Sequence, residues 1–135
     1  FWPALHLAGF TPRQLAPYEE RELLKWGYGM TVLVRRGTAT AAELTPEEFK
    51  SGAPTLVRKV RRYKPKVLAV LGVGAYRAAF GRPRAGLGLQ PERIGDTAIW
   101  LLPNPSGLNA NYQLADLTRL FRGLRVYVRR KAPDA

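Results

Sequence analysis

The chain of 135 residues contains no cysteine and a single histidine, His6. The lack of cysteine excludes a disulfide framework, a cysteine-ligated zinc site and a thiol nucleophile. One histidine excludes a histidine cluster and makes a histidine-based triad a poor hypothesis. No apolar run approaches the roughly 20 residues that span a membrane, and no secretory signal or transit pattern is visible. We therefore expect a cytoplasmic protein without disulfides.

Acidic side chains are also scarce. Lys and Arg total 22 against 10 Asp and Glu, which gives a formal net charge of +12. This balance excludes an acidic disordered tail and favours a polyanionic partner. The 46% of hydrophobic residues suffices for a core, and the length fits one domain over residues 1–135.

The N-terminal third predicts short elements. Residues 1–9 read as a helix with Pro3 in its first turn and Gly9 as its C-cap. No capping side chain precedes this helix, so we expect it to begin upstream of Phe1, with a processed terminus as the alternative. Residues 18–26 predict a charged helix, and residues 30–34 predict a strand or an extended segment.

The middle of the chain carries a strong helix start in Thr45, Pro46 and Glu48, a capping-box pattern. We expect this helix to break at Gly52 and Pro54 and then to resume to residue 63. Its polar face and the residues just after it are basic, which is usually a solvated surface. These cations are Arg58, Lys59, Arg61, Arg62, Lys64 and Lys66.

Two apolar runs predict strands buried on both faces, over residues 67–73 and 97–102. Between them we expect a helix over residues 74–80 and a Gly/Pro/Arg loop over residues 81–88. Residues 114–124 predict an amphipathic helix, which residues 126–128 either extend or follow as a strand. Helices alternating with buried strands predict an α/β domain with a short, mostly parallel sheet.

Ligands of open α/β sheets bind outside the carboxyl ends of the strands, where two loops stand out. The first, Gly72-Val73-Gly74, begins a dinucleotide fingerprint but has Arg77 where the third glycine belongs. A structural strand-to-helix turn is therefore favoured over a nucleotide site, although a helix N-terminus can still hold a DNA phosphate. We expect no nucleotide cofactor at this turn.

The second loop, residues 102–112, is rich in proline, asparagine and turn formers, with an isolated apolar residue, Leu108, in its middle. Leu108 either folds inward as part of a structural loop or acts as a wedge inserted into a base stack. The loop arginines, which are better candidates for phosphate contacts than the helix cations, are Arg35, Arg36, Arg82 and Arg84.

The segment Asn104-Pro105-Ser106-Gly107-Leu108 resembles the second motif of the mismatch-specific uracil/thymine DNA glycosylases, in the uracil-DNA glycosylase superfamily. Other segments are similar to the bacterial branch in the same order, and the resemblance extends to about Leu124. They are Phe1-Trp2, Ala8-Gly9-Phe10-Thr11 with Arg13-Gln14-Leu15, residues 29–34, Leu71-Gly72 with Ala75-Tyr76, and Ile99-Trp100-Leu101-Leu102-Pro103.

The resemblance implies a three-layer α/β/α fold whose first strand and catalytic loop lie upstream of Phe1. It implies a monomeric repair enzyme that hydrolyses the N-glycosidic bond of uracil, and of related damaged bases, opposite guanine in double-stranded DNA. The base is flipped into a pocket, and neither cofactor nor metal is used. The resemblance also implies a bacterial cytoplasmic enzyme that associates with the nucleoid through DNA.

Residue roles follow from the same resemblance. Leu108 would fill the gap left by the flipped base, and Gly107, Asn109 and Ala110 would contact the widowed guanine or its strand. Asn104 and Ser106 would lie near the pocket mouth and the target phosphate. The family's water-positioning asparagine also lies upstream of Phe1, so the catalytic residue is unknown.

Two positions depart from the family pattern, and either change could alter substrate range or the grip on DNA. Ala110 stands where relatives often carry arginine, and Val32 stands where some bacterial relatives have lysine.

Two other functions stay open from the residues alone. A non-catalytic basic DNA-binding domain would explain the charge, and a nucleotide-dependent enzyme would rest only on the Gly72–Gly74 turn. Glu43 is a weak candidate for catalysis, because its segment fits no clear element. Glu47, Glu48 and Asp116 are interpreted as helix caps or solvated groups, and Asp96 as a turn residue. His6 is interpreted as structural or surface-exposed.

Overall fold

The α/β class predicted from the sequence is confirmed by a computed structural model, which describes residues 1–33, 44–105 and 112–131. The elements in chain order are α1 (Trp2–Leu7), a 3₁₀ helix (Pro17–Trp26), α2 (Pro46–Tyr63), β1 (Val67–Leu71), α3 (Val73–Phe80), β2 (Gly88–Ile94), β3 (Thr97–Leu102) and α4 (Leu114–Lys131).

The three strands form one short sheet in the order β1-β3-β2. β1 and β3 are parallel, with Val67 opposite Ala98 and Leu71 opposite Leu102. β2 is antiparallel to β3, so the sheet is mixed where a mostly parallel one was predicted. The sequence pattern missed β2, although Gly95-Asp96 between two short runs is a hairpin signal. Gly95 has a φ of 58°, which glycine adopts readily.

β2 contains an irregularity that explains why its pattern is weak. Its register against β3 shifts between Leu89 and Arg93, and Pro91 lies within that bulge. Proline has no N–H for a ladder, so it is tolerated at a bulge in an edge strand. The buried Gln90 side chain donates from Nε2 to the carbonyl oxygens of Gly86 (2.7 Å) and Gly88 (2.9 Å), which fixes the preceding loop.

The two predicted strands differ in burial. β3 is buried along nearly its whole length, as predicted. In β1 only Val70 is buried and Ala69 is exposed, so the prediction of burial on both faces was wrong there. The physical reason is position, because β1 is an edge strand of the sheet that the described residues form.

α2 begins as predicted but does not break. Thr45 and Glu48 cap each other, with Glu48 N–H donating to Thr45 Oγ1 (3.2 Å) and Thr45 N–H to Glu48 Oε1 (3.1 Å). The helix continues through Pro54. Proline has no N–H, so the carbonyl of Lys50 lacks the donor that it would normally have in a helix. Both residues are exposed. Water can solvate that exposed carbonyl, while the buried face, Ala53, Leu56 and Val60, keeps the helix packed.

The chain divides into two compact units. The sheet unit spans Val32–Leu108, and its core consists of Leu56, Val60, Val70, Tyr76, Ile94, Ile99 and Leu101. The helical unit combines Phe1–Thr31 with Asn109–Ala135. The prediction of a single domain over residues 1–135 stays a prediction.

In the helical unit, α1 packs against α4, with the Phe1 and Phe121 ring centroids 6.0 Å apart. Arg122 and Arg125 of α4 donate hydrogen bonds to the carbonyl oxygens of Leu7 (3.1 Å) and Gly9 (3.2 Å). These arginines therefore satisfy carbonyls at and just beyond the C-terminal end of α1.

Three local expectations are corrected or resolved. The charged helix predicted over residues 18–26 is a 3₁₀ helix, and residues 30–33 form no strand. α4 continues to Lys131, so residues 126–128 extend the helix. Among the described helices, none is both long enough and apolar enough to cross a membrane.

Candidate active site

The two loops singled out in the sequence meet at one edge of the sheet. β1 and β3 run parallel and end together, and the Gly72 N–H donates to the carbonyl oxygen of Leu102 (2.8 Å). A Cβ placed at Gly72 would lie 4.0 Å from the Cβ of Asn104. Asn104 therefore lies beside the Gly72 turn, where the carboxyl ends of two parallel strands favour a ligand site.

Gly72 is favoured by its backbone conformation rather than by lack of space, because an added Cβ would make only ordinary contacts. Its φ is 133°, a conformation that other residues rarely adopt. It forms the N-cap of α3 without a side-chain cap, and Tyr76 N–H closes the first turn onto its carbonyl (3.1 Å). The first-turn amides thus give the turn a partial positive charge. This matches the structural strand-to-helix turn favoured from the sequence.

Proline anchors the start of the second loop. Pro103 is fully buried, whereas Asn104 and Pro105 are half-buried. The chain therefore leaves the core at Pro103 and reaches the surface at Asn104, which is the position expected of a pocket-mouth residue.

A partly buried polar contact connects α3 with β2. The Tyr76 ring is fully buried and stacks on Phe80, with centroids 4.9 Å apart. Its hydroxyl donates to Glu92 Oε2 (3.2 Å), and Arg82 Nε donates to Glu92 Oε1 (3.0 Å). Burial first, and the Glu92 charge second, raise the pKa of Tyr76 to about 12. Tyr76 is therefore neutral at physiological pH and supports the helix that begins at the Gly72 turn.

This contact was not foreseen, because nothing local in the sequence connects Tyr76 with Glu92, 16 residues away. The contact also makes Arg82 a weaker candidate for the phosphate contact predicted from the sequence. Its guanidinium is already paired with a carboxylate, so it is less available to DNA than an unpaired arginine. Among the described residues Arg84 is exposed and forms no ion pair.

Both arginines line a groove of about 270 Å³ along β2, together with Leu87, Leu89 and Gln90. A second groove of about 380 Å³ lies between Val32 and the first turns of α2. Neither groove is lined by Asn104. The predicted pocket mouth at Asn104 therefore stays a prediction.

Three of the acidic residues considered from the sequence, Glu48, Asp96 and Asp116, occupy helix caps or a turn. Asp116 Oδ2 accepts the Gln113 N–H at the start of α4 (3.0 Å), as Glu48 does at the start of α2. Asp96 lies in the turn between β2 and β3, at the opposite end of the sheet from Asn104. No group of three or more potential metal ligands occurs among the described residues.

His6 forms a structural hydrogen bond, which is one of the two roles interpreted from the sequence. Its Nδ1 lies 2.9 Å from the carbonyl oxygen of Thr11. Thr11 is buried and donates from Oγ1 to the carbonyl oxygen of Arg13 (2.7 Å). These bonds tie the end of α1 to the loop that follows it.

Several predicted site residues lie outside the described part of the chain. They are Arg35, Arg36, Glu43, Ser106, Gly107, Leu108, Asn109 and Ala110. Their predicted roles stay predictions.

One comparison bears on this site. A family model described as the uracil DNA glycosylase superfamily matches residues 1–125. The match covers most of the chain, including α3, all three strands, Asn104 and the loop that follows it.

Proposed function

Because the chain belongs to the uracil DNA glycosylase superfamily, whose members hydrolyse N-glycosyl bonds at uracil-type lesions in DNA, we propose that it excises uracil opposite guanine. Related damaged bases opposite guanine would also be substrates, as in the mismatch-specific bacterial branch. The enzyme would act as a monomer on double-stranded DNA and would release the base without cleaving the strand.

The observation that carries this proposal is the meeting of Asn104 with the Gly72 turn at the carboxyl edge of the sheet. A flipped nucleotide needs a pocket edge that offers polar groups to the base and donors to the phosphate. Asn104 would supply a side-chain amide at the pocket mouth. The uncapped first turn of α3 would supply backbone amides to a phosphate.

The loop after Asn104 would hold the DNA in its deformed state. Leu108 would enter the base stack where the uracil has left, replacing part of the lost stacking. Gly107, Asn109 and Ala110 would contact the widowed guanine or its strand, and Ser106 the target phosphate. Arg84, and more weakly Arg82, would contact the backbone, as would Arg35 and Arg36.

In the chemical step, water adds to the sugar carbon as the bond to the base nitrogen breaks, and the base leaves as an anion that then takes a proton. The sugar develops oxocarbenium character, as in other glycoside hydrolyses. Donors aimed at the departing base would stabilise its charge. No residue of this chain is assigned to position the water.

Two departures would tune the grip on DNA. Ala110 removes the arginine that relatives often place in the wedge loop, so insertion would depend more on Leu108. Val32 is 60% exposed and lines the groove beside the first turns of α2. An exposed valine there would lower the affinity for phosphates relative to a lysine.

The test uses the full-length protein and an end-labelled duplex with one G·U pair, followed by alkali. We expect strand cleavage at the uracil alone, since alkali breaks the strand only at the abasic site. Duplexes with A·U and with G·C at the same place are the controls. Intact G·U duplex despite tight, salt-sensitive binding would contradict the proposal and favour a non-catalytic DNA-binding domain.

The wedge is tested separately with Leu108→Ala. We expect this variant to lose affinity for abasic or mismatched duplex much more than for fully paired duplex, because only the deformed DNA accommodates a wedge. Leu114→Ala, a partly exposed leucine of α4, is the matched control. Equal weakening on both duplexes would contradict the wedge.

A further inference from the structure

A second basic surface lies at the C-terminal end of α2. We define the α2 patch as Arg58, Arg61, Arg62, Tyr63, Lys64 and Lys66, all of which are exposed. Ten cationic residues and no acidic residue lie between Glu48 and Glu92 in the sequence. The patch therefore belongs to a stretch whose charge is of one sign.

The α2 patch lies at the end of the sheet opposite the candidate active site. Lys66 accepts the Ala98 N–H on its carbonyl oxygen (3.1 Å), and Pro65 accepts the Thr97 hydroxyl (2.6 Å). Both contacts are at the start of β3, whereas Asn104 follows its end. Five strand residues separate the two ends of β1 by about 17 Å. One phosphate cannot reach both places.

The patch contains an exposed aromatic ring. Tyr63 is 72% exposed, so it offers an apolar ring to solvent among the cations. The Arg62 guanidinium carbon lies 5.4 Å from the Tyr63 ring centroid, a cation–π distance. This contact orients the ring, and most of the side chain remains open to solvent.

The positive charge of the patch is not neutralised locally. Within the part of the chain that the structure describes, Arg61, Arg62, Lys64 and Lys66 form no ion pair. Cations at a helix C-terminus do stabilise the helix through its dipole. That effect accounts for Arg61 and Arg62, but it does not account for an exposed tyrosine among them.

We propose that the α2 patch binds a single strand of nucleic acid, with its phosphates on the cations and one unpaired base stacked on Tyr63. Exposed aromatic rings set among cations are the common design of single-strand binding surfaces. This surface is additional to the proposed excision site and would hold an unpaired strand while that site acts on duplex.

The test measures binding of labelled oligothymidine without uracil by fluorescence anisotropy at several salt concentrations. The first variant is the triple substitution Arg61→Gln, Arg62→Gln and Lys64→Gln. Its control, Arg21→Gln with Arg129→Gln and Arg130→Gln, removes three exposed charges from the helical unit. Circular dichroism verifies that both variants are folded.

We expect the patch variant to lose affinity and to lower the slope of log Kd against log salt by about 2, at roughly 0.7 per phosphate on a single strand. Tyr63→Ala should weaken binding roughly tenfold through lost stacking, and Tyr63→Phe should restore it. An unchanged affinity of Tyr63→Ala, or equal losses in the two triple variants, would overturn the proposal.

Anionic lipid is the competing ligand chemistry. The proposal would be overturned if the wild type bound phosphatidylserine vesicles and the patch variant did not, while the patch variant still bound oligothymidine with wild-type affinity. That outcome would assign the patch to lipid. Uracil release from a short blunt G·U duplex is measured in parallel. If the wild type released no uracil, the proposed function would be contradicted. The oligothymidine measurements would still test the α2 patch independently.

Discussion

At the scale of single residues, Glu19 shows how one side chain fixes a loop. Its carboxylate accepts two hydrogen bonds from Arg13 (3.2 and 2.8 Å) and one from the Ala16 N–H (3.0 Å). The Arg13 hydrogen bond first, and the Ala16 N–H second, lower the pKa of Glu19 from 4.5 to about 2. A carboxylate whose pKa is lower in the folded state stabilises the fold above its unfolded pKa.

The sign of this effect gives a pH prediction. We expect Glu19→Gln to be less stable than the wild type at pH 7, and the difference to shrink as the pH falls from 4.5 towards 2. Urea denaturation at a series of pH values measures it. Glu20→Gln, which removes a neighbouring exposed charge, is the control. A constant difference down to the lowest pH would contradict this origin.

Lys64 has a strained backbone conformation that lowers the stability of the fold. It ends α2 with a φ of 50°, a left-handed conformation that costs a residue with a Cβ about 1 kcal/mol. We predict that Lys64→Gly raises the free energy of unfolding by up to about 1 kcal/mol. Lys64→Ala removes the same charge but keeps the strain, so thermal denaturation should show no comparable gain for it.

At the scale of elements, the backbone of Leu33 passes very close to α2. A Cβ placed at Gly52 would collide with the carbonyl oxygen of Leu33. Alanine normally stabilises a helix interior by about 1 kcal/mol relative to glycine. Here we predict that Gly52→Ala destabilises the protein by about 1–3 kcal/mol, because a backbone atom must move.

The matched control is Gly74→Ala in α3, where an added Cβ meets nothing within 4 Å. We expect this variant to unfold at equal or higher urea concentration than the wild type. If Gly52→Ala stabilised the protein as much as Gly74→Ala does, that result would contradict the close contact between Leu33 and α2.

An element could be predicted from the sequence when the residues that define it are close together in the sequence. The start of α2 depends on Thr45, Pro46 and Glu48, which are adjacent in sequence, and it was predicted correctly. The expected break at Pro54 was wrong because Leu56 and Val60 pack the helix into the core beyond a solvated carbonyl. Local propensity gave way to tertiary packing.

One part of the candidate site could also be predicted from the sequence, and another part could not. The meeting of the Gly72 turn with Asn104 follows from the rule that parallel strands end at one edge, so the sequence sufficed. β2 was missed because its backbone pairing with β3 is irregular, with a register shift between Leu89 and Arg93. Pro91 lies within that shift, so residues 88–94 do not show the regular alternation that predicts a strand.

At the scale of the whole molecule, the net charge of +12 predicts how salt acts on the enzyme. Each neutralised phosphate of duplex DNA contributes about 0.9 to the slope of log Kd against log salt. We expect a fourfold rise in salt to weaken binding to undamaged duplex roughly tenfold or more, which corresponds to about two phosphates. Anisotropy titrations measure it.

Base release should respond differently to salt. With enzyme in excess over a G·U duplex and at saturation, the DNA is already bound, so only the chemical step and base flipping are timed. Salt screens the exposed phosphate contacts, but donors held inside a closed site are screened much less. We therefore predict that the saturating single-turnover rate changes less than about twofold over the same salt range. A rate that falls in parallel with the affinity would place the cations in the chemical step rather than in DNA binding.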